Sequence, residues 1–263
     1  MTDAIMIDPE AQTQRSCANM LAVASGKGGV GKTWLSVTLS QALARAGKRT
    51  LLFDGDLGLA NVDIQLGLHP NNDLAGVLDG SYELKEAAVT HPGGGFDVIA
   101  GRSGTGSLAN IPAGRLNQLM DDLAALAPSY DRVILDLGAG LERTVRQLAA
   151  MARTSLIVAT DEPTSLTDAY AFIKLAHMQN SGSDLRIVVN MAASTGEGER
   201  TYGTLLKACQ SFLKISPPLA GIIRRDSKVK DAIRHQTPIL TRHPTCQAAA
   251  DIETLVARLD AGN

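Results

Sequence analysis

The sequence predicts an α/β fold, in which a doubly wound, mostly parallel sheet lies between two layers of helices in a three-layer α/β/α arrangement. Short apolar runs alternate with helical patterns along the chain, and this order is typical of a parallel sheet covered on both faces. Hydrophobic residues make up 44% of the 263 residues and charged residues 20%. Such values argue against a disordered or collagen-like chain.

The strands are predicted from short buried runs. The first lies at 20–24, before a glycine-rich stretch, and the second at 50–53. Between them a helix is expected from Lys32 to about Ala46, closed by Gly47, because glycine commonly ends helices. The remaining apolar runs predict strands at 98–99, 133–135, 156–158, 187–189 and 221–223.

Two further helices are predicted from the spacing of their apolar residues. The two sets, each on one helical face, are Leu116, Leu119, Met120, Leu123 and Leu126, and Ile252, Leu255, Val256 and Leu259. This spacing is typical of amphipathic helices that face a core. The glycine-rich stretch 93–106 is expected to be irregular around its strand. Without repeats or a linker, a single domain is predicted at 20–263, preceded by a loose leader at 1–19.

Charge and cysteine usage exclude several classes of protein. The 25 basic and 27 acidic residues give a formal charge of −2, which argues against a globally basic nucleic-acid binder. The three cysteines are widely spaced and form no C-x-x-C pair, so neither a disulfide framework nor the common zinc and redox motifs are expected. The sequence contains neither a secretory signal nor a long apolar span, which predicts a cytoplasmic location.

Residues 26–33, Gly-Lys-Gly-Gly-Val-Gly-Lys-Thr, satisfy the pattern G-x-x-x-x-G-K-[ST] and are called the phosphate loop below. Glycines let backbone N–H groups converge on a polyphosphate, and the following helix adds its positive end. Lys32 is expected to reach the β- and γ-phosphates, and the Thr33 hydroxyl to ligate Mg²⁺. The predicted contacts to ATP or ADP in this segment are Gly28, Gly29, Val30, Gly31, Lys32, Thr33 and Trp34.

Carboxylates stand at the ends of two predicted strands. Asp54 and Asp56 follow the second strand, and Asp136 follows the strand at 133–135. Ligands of parallel sheets bind at the carboxyl ends of the strands, so all three are expected near the phosphate loop. Asp136 is expected to hold Mg²⁺, through water, with Asp56 as a further metal ligand. An isolated strand-end aspartate would more simply cap a loop.

Lys27 is a second lysine within the phosphate loop, where the basic phosphate cradle does not require one. Its charge must point toward phosphate or toward solvent. In its setting, Lys-Gly-Gly-Val-Gly-Lys-Thr, the loop resembles the deviant Walker A motif of the MinD/ParA family of P-loop ATPases, a MinD-like fold of the SIMIBI class. That resemblance implies that ATP drives a homodimer and that Lys27 reaches the partner's phosphates.

The resemblance also implies roles in hydrolysis. The second aspartate of the family's D-x-D pair, here Asp56, belongs to switch I and orients the attacking water, while Asp54 is a supporting residue. Lys27, Lys32 and Asp56 are therefore the predicted catalytic residues. Turnover that waits for a second copy is expected to be slow and stimulated by partners. A binding module that holds nucleotide with little turnover is the alternative.

Two longer stretches narrow the resemblance to one branch. Residues 56–68 and 161–170 are similar to the FlhG/FleN branch, with weaker matches at 188–192 and 232–238. This branch controls flagellar number and placement in bacteria. The implied partners are an FlhF-type GTPase, a flagellar switch-ring protein or a flagellar transcription regulator, which would recruit the chain to the cell pole or the inner membrane surface.

Three further residues are candidates, and two of them have two interpretations. Asn190 follows a buried strand and, by resemblance, lies near the adenine, but it could equally cap a loop. Arg224 is a candidate for the adenine loop, where the family's usual proline is missing. Trp34, the only tryptophan, is expected either in the core or at a dimer or partner contact.

A basic stretch supports a competing function. Residues 224–243 carry six basic and two acidic side chains, as in a ParA-like protein that positions DNA or cargo. A solvated face is the simpler interpretation, since this stretch has no aromatic residues for base stacking. Membrane contact through residues 252–263 is not expected, because Arg258 is their only cation.

Overall fold

The computed structural model describes residues 17–101 and 111–261. Eight strands form one sheet in the order β3-β4-β2-β5-β1-β6-β7-β8. All neighbouring pairs are parallel except β3 and β4, which are antiparallel. The strands are β1 (Cys17–Ser25), β2 (Thr50–Gly55), β3 (Ala88–Thr90), β4 (Asp97–Ile99), β5 (Arg132–Ala139), β6 (Ala152–Ala159), β7 (Asp184–Ala192) and β8 (Leu219–Arg224).

Helices connect the strands and cover both faces of the sheet. They are α1 (Lys32–Arg45), α2 (Val62–Leu66), α3 (Leu74–Asp79), α4 (Ala113–Leu126), α5 (Arg143–Met151), α6 (Pro163–Gln179), α7 (Thr195–Ala208), α8 (Ser227–Arg234), α9 (Ile239–Arg242) and α10 (Gln247–Ala261). Short 3₁₀ turns stand at Leu84–Ala87 and Ala127–Ser129, and a π-helical turn at Cys209–Leu213 follows α7.

Alternate residues of each central strand enter two separate hydrophobic cores. Leu51 and Phe53 of β2 pack into one core, beneath α4, α5 and α6, whereas Leu52 packs into the other, beneath α1 and α10. Successive side chains of a strand point to opposite faces, so the two cores show that the sheet is buried on both sides. This confirms the predicted doubly wound α/β fold.

The predicted strands and helices are all present, with longer strands than the apolar runs alone indicate. β1 begins at Cys17 rather than at residue 20. Gly47 has φ +81° and follows the end of α1, as the predicted helix closure requires. The prediction missed β3, a three-residue strand on the sheet edge, because its short sequence has no distinctive period. Within 93–106, β4 is the predicted strand, and residues 102–106 lie outside the described residues.

The central parallel strands give the sheet two different edges. We call the edge where β1, β2 and β5–β8 end the carboxyl edge, and the one where they begin the amino edge. The phosphate loop joins β1 to α1 at the carboxyl edge, and Asp54 and Asp136 lie there on neighbouring strands as register partners. The amino edge carries the start of β1, paired there with the start of β6 through Cys17 and Ala152.

Candidate functional site: a phosphate cradle at the carboxyl edge

The phosphate loop has a backbone that only glycine tolerates at its tightest points. Gly29 and Gly31 have φ +78° and +87°, in the left-handed region that disfavours other residues. A Cβ on Gly31 would lie 2.5 Å from Nδ2 of Asn190, and one on Gly26 would lie 2.2 Å from the Asp168 carbonyl oxygen. The loop is therefore held closely between α6 and the end of β7.

Free backbone donors stand at the start of α1, directly after the loop. The first helical hydrogen bond runs from the Leu35 N–H to the Gly31 carbonyl at 3.0 Å, so the amides of Lys32, Thr33 and Trp34 precede the helical ladder. Such amides and the positive end of the helix dipole favour an anion. The backbone thus provides what a bound phosphate group needs.

Lys32 is buried at the centre of this arrangement. Its Nζ donates to Ser25 Oγ at 3.0 Å, and Ser25 in turn donates to the Lys27 carbonyl at 2.6 Å. Burial lowers the pKa of Lys32, while the carboxylates of Asp136 and Asp56 act in the opposite direction. A buried ammonium beside free amides is suited to pair with phosphate oxygens.

Asp136, at the carboxyl end of β5, faces the start of α1. The Ser36 hydroxyl donates to its Oδ1 at 2.9 Å, and the Thr33 hydroxyl also hydrogen-bonds to it. Burial raises the pKa of Asp136 to about 6, against the hydroxyls of Thr33 and Ser36 and the charge of Lys32, which lower it. The structure thus brings Asp136 and Thr33 together, and the metal site predicted for them stays a prediction.

Asp54 lies beside Asp136 on β2 and is fully buried. Its two carboxylate oxygens accept the N–H groups of Asp56 and Val62, each at 3.2 Å. Burial and the neighbouring Asp136 raise the pKa of Asp54 well above its usual range. Asp54 therefore holds the two ends of the segment 56–62, which supports the secondary role predicted for it.

Asp56 is half-buried and begins that segment. Its Oδ1 accepts the Leu59 N–H at 3.0 Å, and the carboxylate lies against Gly138, at the end of β5, where a Cβ would come within 3.2 Å of it. The charges of Asp56 and Asp136 act on the buried ammonium of Lys32, and Asp54 lies beside Asp136. Their oxygens, together with the Thr33 hydroxyl, form the hard donor set that Mg²⁺ prefers, and the surplus negative charge fits a divalent ion.

Lys27 is placed differently from Lys32. Its side chain is about one-third exposed, and its Nζ forms an ion pair with Glu162 and donates to Thr164 Oγ1 at 2.9 Å, both at the start of α6. In the isolated chain Lys27 thus lies on the outer surface of the loop, within reach of solvent. The sequence left open whether the Lys27 charge points toward phosphate or toward solvent. In this chain it instead pairs with a carboxylate of the same chain, that of Glu162.

Asn190, predicted near the adenine, supports the phosphate loop. Its Nδ2 donates to the Val30 carbonyl at 2.8 Å, its Oδ1 accepts the Met191 N–H at 2.9 Å, and the side chain is buried. Met191 has φ +60°, an uncommon backbone conformation that the Asn190 carboxamide stabilises. The contacts of Asn190 are therefore those of a loop cap, and the residue lies beside the phosphate loop.

The side chains of the other two candidates, Arg224 and Trp34, make their contacts away from the phosphate loop. The guanidinium of Arg224 forms a two-fold contact with Asp251 of α10, with the shortest distance 2.7 Å from its Nη2 to Oδ1. The Trp34 indole is buried in the core on the α1 side, and its Nε1 has no partner among the described residues. Only the backbone amide of Trp34 is placed for a phosphate. Its side chain is part of the core, which was one of its two predicted locations.

Sequence reasoning missed four contributors to the site. Ser25 and Ser36 hold Lys32 and Asp136, while Glu162 and Thr164 hold Lys27. Ser36 could have been found, since it lies one helical turn after Lys32 and therefore on the same face of α1. Glu162 and Thr164 lie in residues 161–170, which contributed to the sequence-based prediction only as a resemblance to the FlhG/FleN branch.

The basic stretch 224–243 loses part of its charge to internal ion pairs. Arg224 contacts Asp251, and Arg242 donates to Asp231 at 2.6 Å, where His243 also lies 2.7 Å from the same oxygen. The side-chain partners of Asp231 hold its pKa far below the usual range. Two of the six cations are thus committed to internal carboxylates, which favours a solvated, structural face over a continuous anion-binding patch.

A family model described as the CobQ/CobB/MinD/ParA nucleotide binding domain matches residues 21–239. The chain belongs to this family. Among its relatives, the antiactivator FleN of Pseudomonas aeruginosa is 36% identical over 241 residues, covering 92% of this chain and 86% of FleN. The flagellum site-determining protein YlxH of Helicobacter pylori is 31% identical, covering 92% and 83%.

A solved structure supports the fold assignment. The Pyrococcus furiosus cell division ATPase MinD superposes with a TM-score of 0.80, covering 94% of this chain and all of that one, at 22% identity. The chain is therefore a P-loop nucleotide-binding protein of MinD/ParA architecture, as its sequence predicts. Among the described residues, no helix combines the length and apolar character needed to cross a bilayer.

Proposed function

We propose that this chain is an ATP-driven molecular switch: it binds ATP with Mg²⁺, dimerises in that state, hydrolyses ATP slowly, and regulates flagellar number or placement through protein partners. The observation that carries the proposal is the convergence of Lys32, Asp56 and Asp136 on the free amides at the start of α1. Similarity to FleN and YlxH over most of the chain supports the flagellar role.

The binding part of the proposal rests on charge and free donors. Lys32 and the amides from Gly28 to Trp34 would hold the phosphates, and the Thr33 hydroxyl with Asp136 would hold Mg²⁺. Bound magnesium would supply positive charge against the phosphate oxygens. Because Asp54 and Asp136 are buried beside each other, a cation at this place also relieves the repulsion between them.

The hydrolytic part of the proposal rests on Asp56. Its carboxylate is half-buried at the edge of the cradle and is held by the Leu59 N–H, so it can face a water molecule beside a terminal phosphate. Asp54 holds both ends of the segment 56–62, so a change at Asp54 or at the neighbouring Asp136 on nucleotide binding would be passed to this segment. Positioning and charge, rather than a covalent step, would carry the reaction.

The dimer rests on Lys27. A lysine that is one-third exposed on the outside of the phosphate loop is available to a second copy once it leaves Glu162 and Thr164. We propose that it then reaches the partner's phosphates. Exchanging one carboxylate contact for a phosphate contact would cost little, because exposed ion pairs contribute less than about 1 kcal/mol.

Lys27→Ala separates binding from dimerisation. The affinity for magnesium-ATP, measured by calorimetry, is expected to stay within about threefold of wild type, because the lost contact is exposed. In sedimentation velocity with a non-hydrolysable ATP analogue, wild type should form a dimer and Lys27→Ala should stay monomeric. Lys174→Ala, an exposed lysine on α6, is the control and should behave as wild type.

Each part of the proposal can fail separately in this experiment. A normal dimer of Lys27→Ala would overturn the role of Lys27 in trans. Binding without a dimer in wild type would overturn the switch but keep the nucleotide site. If wild type gave no binding heat with magnesium-ATP, the proposed function as a whole would be wrong. Phosphate release by wild type at the rate of Asp56→Ala would favour a binding module without turnover.

A further inference from the structure

A groove opens between α5 and α6 at the amino edge of the sheet, the edge opposite the phosphate loop. Its volume is about 280 Å³, and it is lined by the ends of the two helices and the starts of β6 and β7. Its apolar walls come from Ala149, Ala150, Phe172, Ala176 and Leu185. Ligand pockets for small molecules begin near ~300 Å³, so this groove holds a few side chains rather than a folded partner.

Two arginines give the groove a positive charge. Arg146 and Arg153 both line it, and within the described ranges neither forms an ion pair. Arg146 donates through Nε to the Leu141 carbonyl at 3.1 Å, which leaves its other N–H groups for an acceptor. Asp184, the acidic residue of the lining, is held by Arg186 at 2.8 Å, and the charge of Arg153 acts on it without an ion pair. An anionic segment with apolar side chains would therefore satisfy this groove.

The chain itself supplies such a segment close by. Cys17, where β1 begins, is the register partner of Ala152, which lines the groove. The described chain therefore begins beside the groove, and residues 1–16 precede it in the sequence. They carry Asp3, Asp8 and Glu10 against the single Arg15, and the apolar run Ile5-Met6-Ile7 lies between the first two acids. An extended chain spans up to ~3.3 Å per residue, so the ten residues before Cys17 reach ~30 Å, enough to cross the groove.

We propose that residues 3–10 dock in cis into the amino-edge groove of their own chain. The apolar run contacts the small and aromatic side chains of α5 and α6, and the flanking carboxylates pair with Arg146 and Arg153. Docking uses the edge of the sheet opposite the nucleotide site and does not depend on the function proposed above. It makes the leader a segment that a partner must displace, or can read, at a fixed place on the surface.

Hydrogen exchange of the full chain tests the docking without any nucleotide. In wild type, the amides of residues 3–10 are expected to exchange at least about tenfold more slowly than in a free peptide of the same sequence, since docking protects them. In Arg146→Glu/Arg153→Glu this protection should be lost. The matched control Arg143→Glu/Lys174→Glu makes the same charge change at exposed positions of α5 and α6, the helices beside the groove, and should keep it.

Two further variants keep the test independent of the groove's stability. Asp3→Ser/Asp8→Ser/Glu10→Ser leaves the described fold untouched and should lose protection as well. Lysines at those three positions, combined with the reversed arginines, should restore it. Exchange of wild-type residues 3–10 at the free-peptide rate would overturn the proposal. So would protection that survives the charge reversal, or that rises with protein concentration, since the latter places the segment on another copy.

Discussion

The two edges of the sheet use the same kinds of charged residue for opposite purposes. At the carboxyl edge, Asp56 and Asp136 act on the buried Lys32 and Asp54 lies beside Asp136, and hydroxyls and amides already hold the carboxylate oxygens. At the amino edge, Arg146 and Arg153 line an open groove whose acidic lining residue, Asp184, is ion-paired with Arg186. The first edge has excess negative charge and free amides, and the second has excess positive charge and apolar walls.

This difference underlies the two binding proposals. A closed network with surplus carboxylates fits a metal ion together with a polyphosphate, since neither alone would balance the charge and the free donors. An open groove with unpaired arginines fits a peptide that carries both acids and apolar side chains. Neighbouring hydroxyls and amides hold the carboxylates of the carboxyl edge, whereas Arg146 at the amino edge is held through its Nε to the Leu141 carbonyl.

The largest expected effect is that of Lys32→Met, which removes the buried cation at the carboxyl edge. Affinity for magnesium-ATP should fall about 100-fold, because charge-assisted hydrogen bonds to phosphate are worth about 1.5–3 kcal/mol. Calorimetric titration measures this, with Lys48→Met as the control. If the comparison of the edges is sound, leader protection at the amino edge stays as in wild type. Unchanged ATP affinity would contradict the assigned cradle.

Asn190→Ala tests how rigidly the carboxyl edge is held. It removes the hydrogen bond to the Val30 carbonyl and leaves that acceptor buried, which should cost about 1–2 kcal/mol of unfolding free energy. The phosphate loop also loses its support, so ATP affinity should fall about tenfold. Urea unfolding and calorimetry measure the two effects. A loss of affinity without a loss of stability would instead indicate a direct contact with the nucleotide.

Arg186→Ala sharpens the account of the amino edge. Asp184 keeps its hydrogen bond from Thr154 at 2.8 Å but becomes free to repel the acidic leader. Protection of residues 3–10 should fall about threefold, and stability by less than about 1 kcal/mol, since the ion pair is partly exposed. The control is Arg224→Ala, which breaks a comparable ion pair with Asp251 and should leave leader protection unchanged. Equal effects of both variants would show a general loss of stability.

The smallest effect is expected for Trp34→Phe. The indole lies in the core and its Nε1 has no hydrogen-bond partner among the described residues, so phenylalanine loses volume but also removes an unsatisfied donor. Unfolding free energy should change by less than about 1 kcal/mol and ATP affinity by less than about twofold. A marked loss of affinity in calorimetry would mean that the side chain, and not only the backbone amide, contributes to the nucleotide site.

Much of the fold and of the phosphate cradle follows from sequence because it is encoded by local patterns. Buried apolar runs gave the strands, and helical spacing gave α4 and α10. The glycines of the phosphate loop and Lys32 lie within the seven residues 26–32, and the positive φ angles that the loop requires fall on two of those glycines. Asp54 and Asp136 end parallel strands, so their meeting at one edge follows from the sheet alone.

Only the tertiary structure decided which side chains form hydrogen bonds and ion pairs with residues far away in the chain. Asn190 reaches the Val30 carbonyl across 160 residues, Lys27 reaches Glu162 across 135, and Arg224 turns to Asp251 instead of the loop. The amino-edge groove likewise forms only where two helices and two strands meet. Side-chain partners of this kind depend on packing between elements far apart in the chain, and a local pattern carries no information about which of several acceptors lies closest.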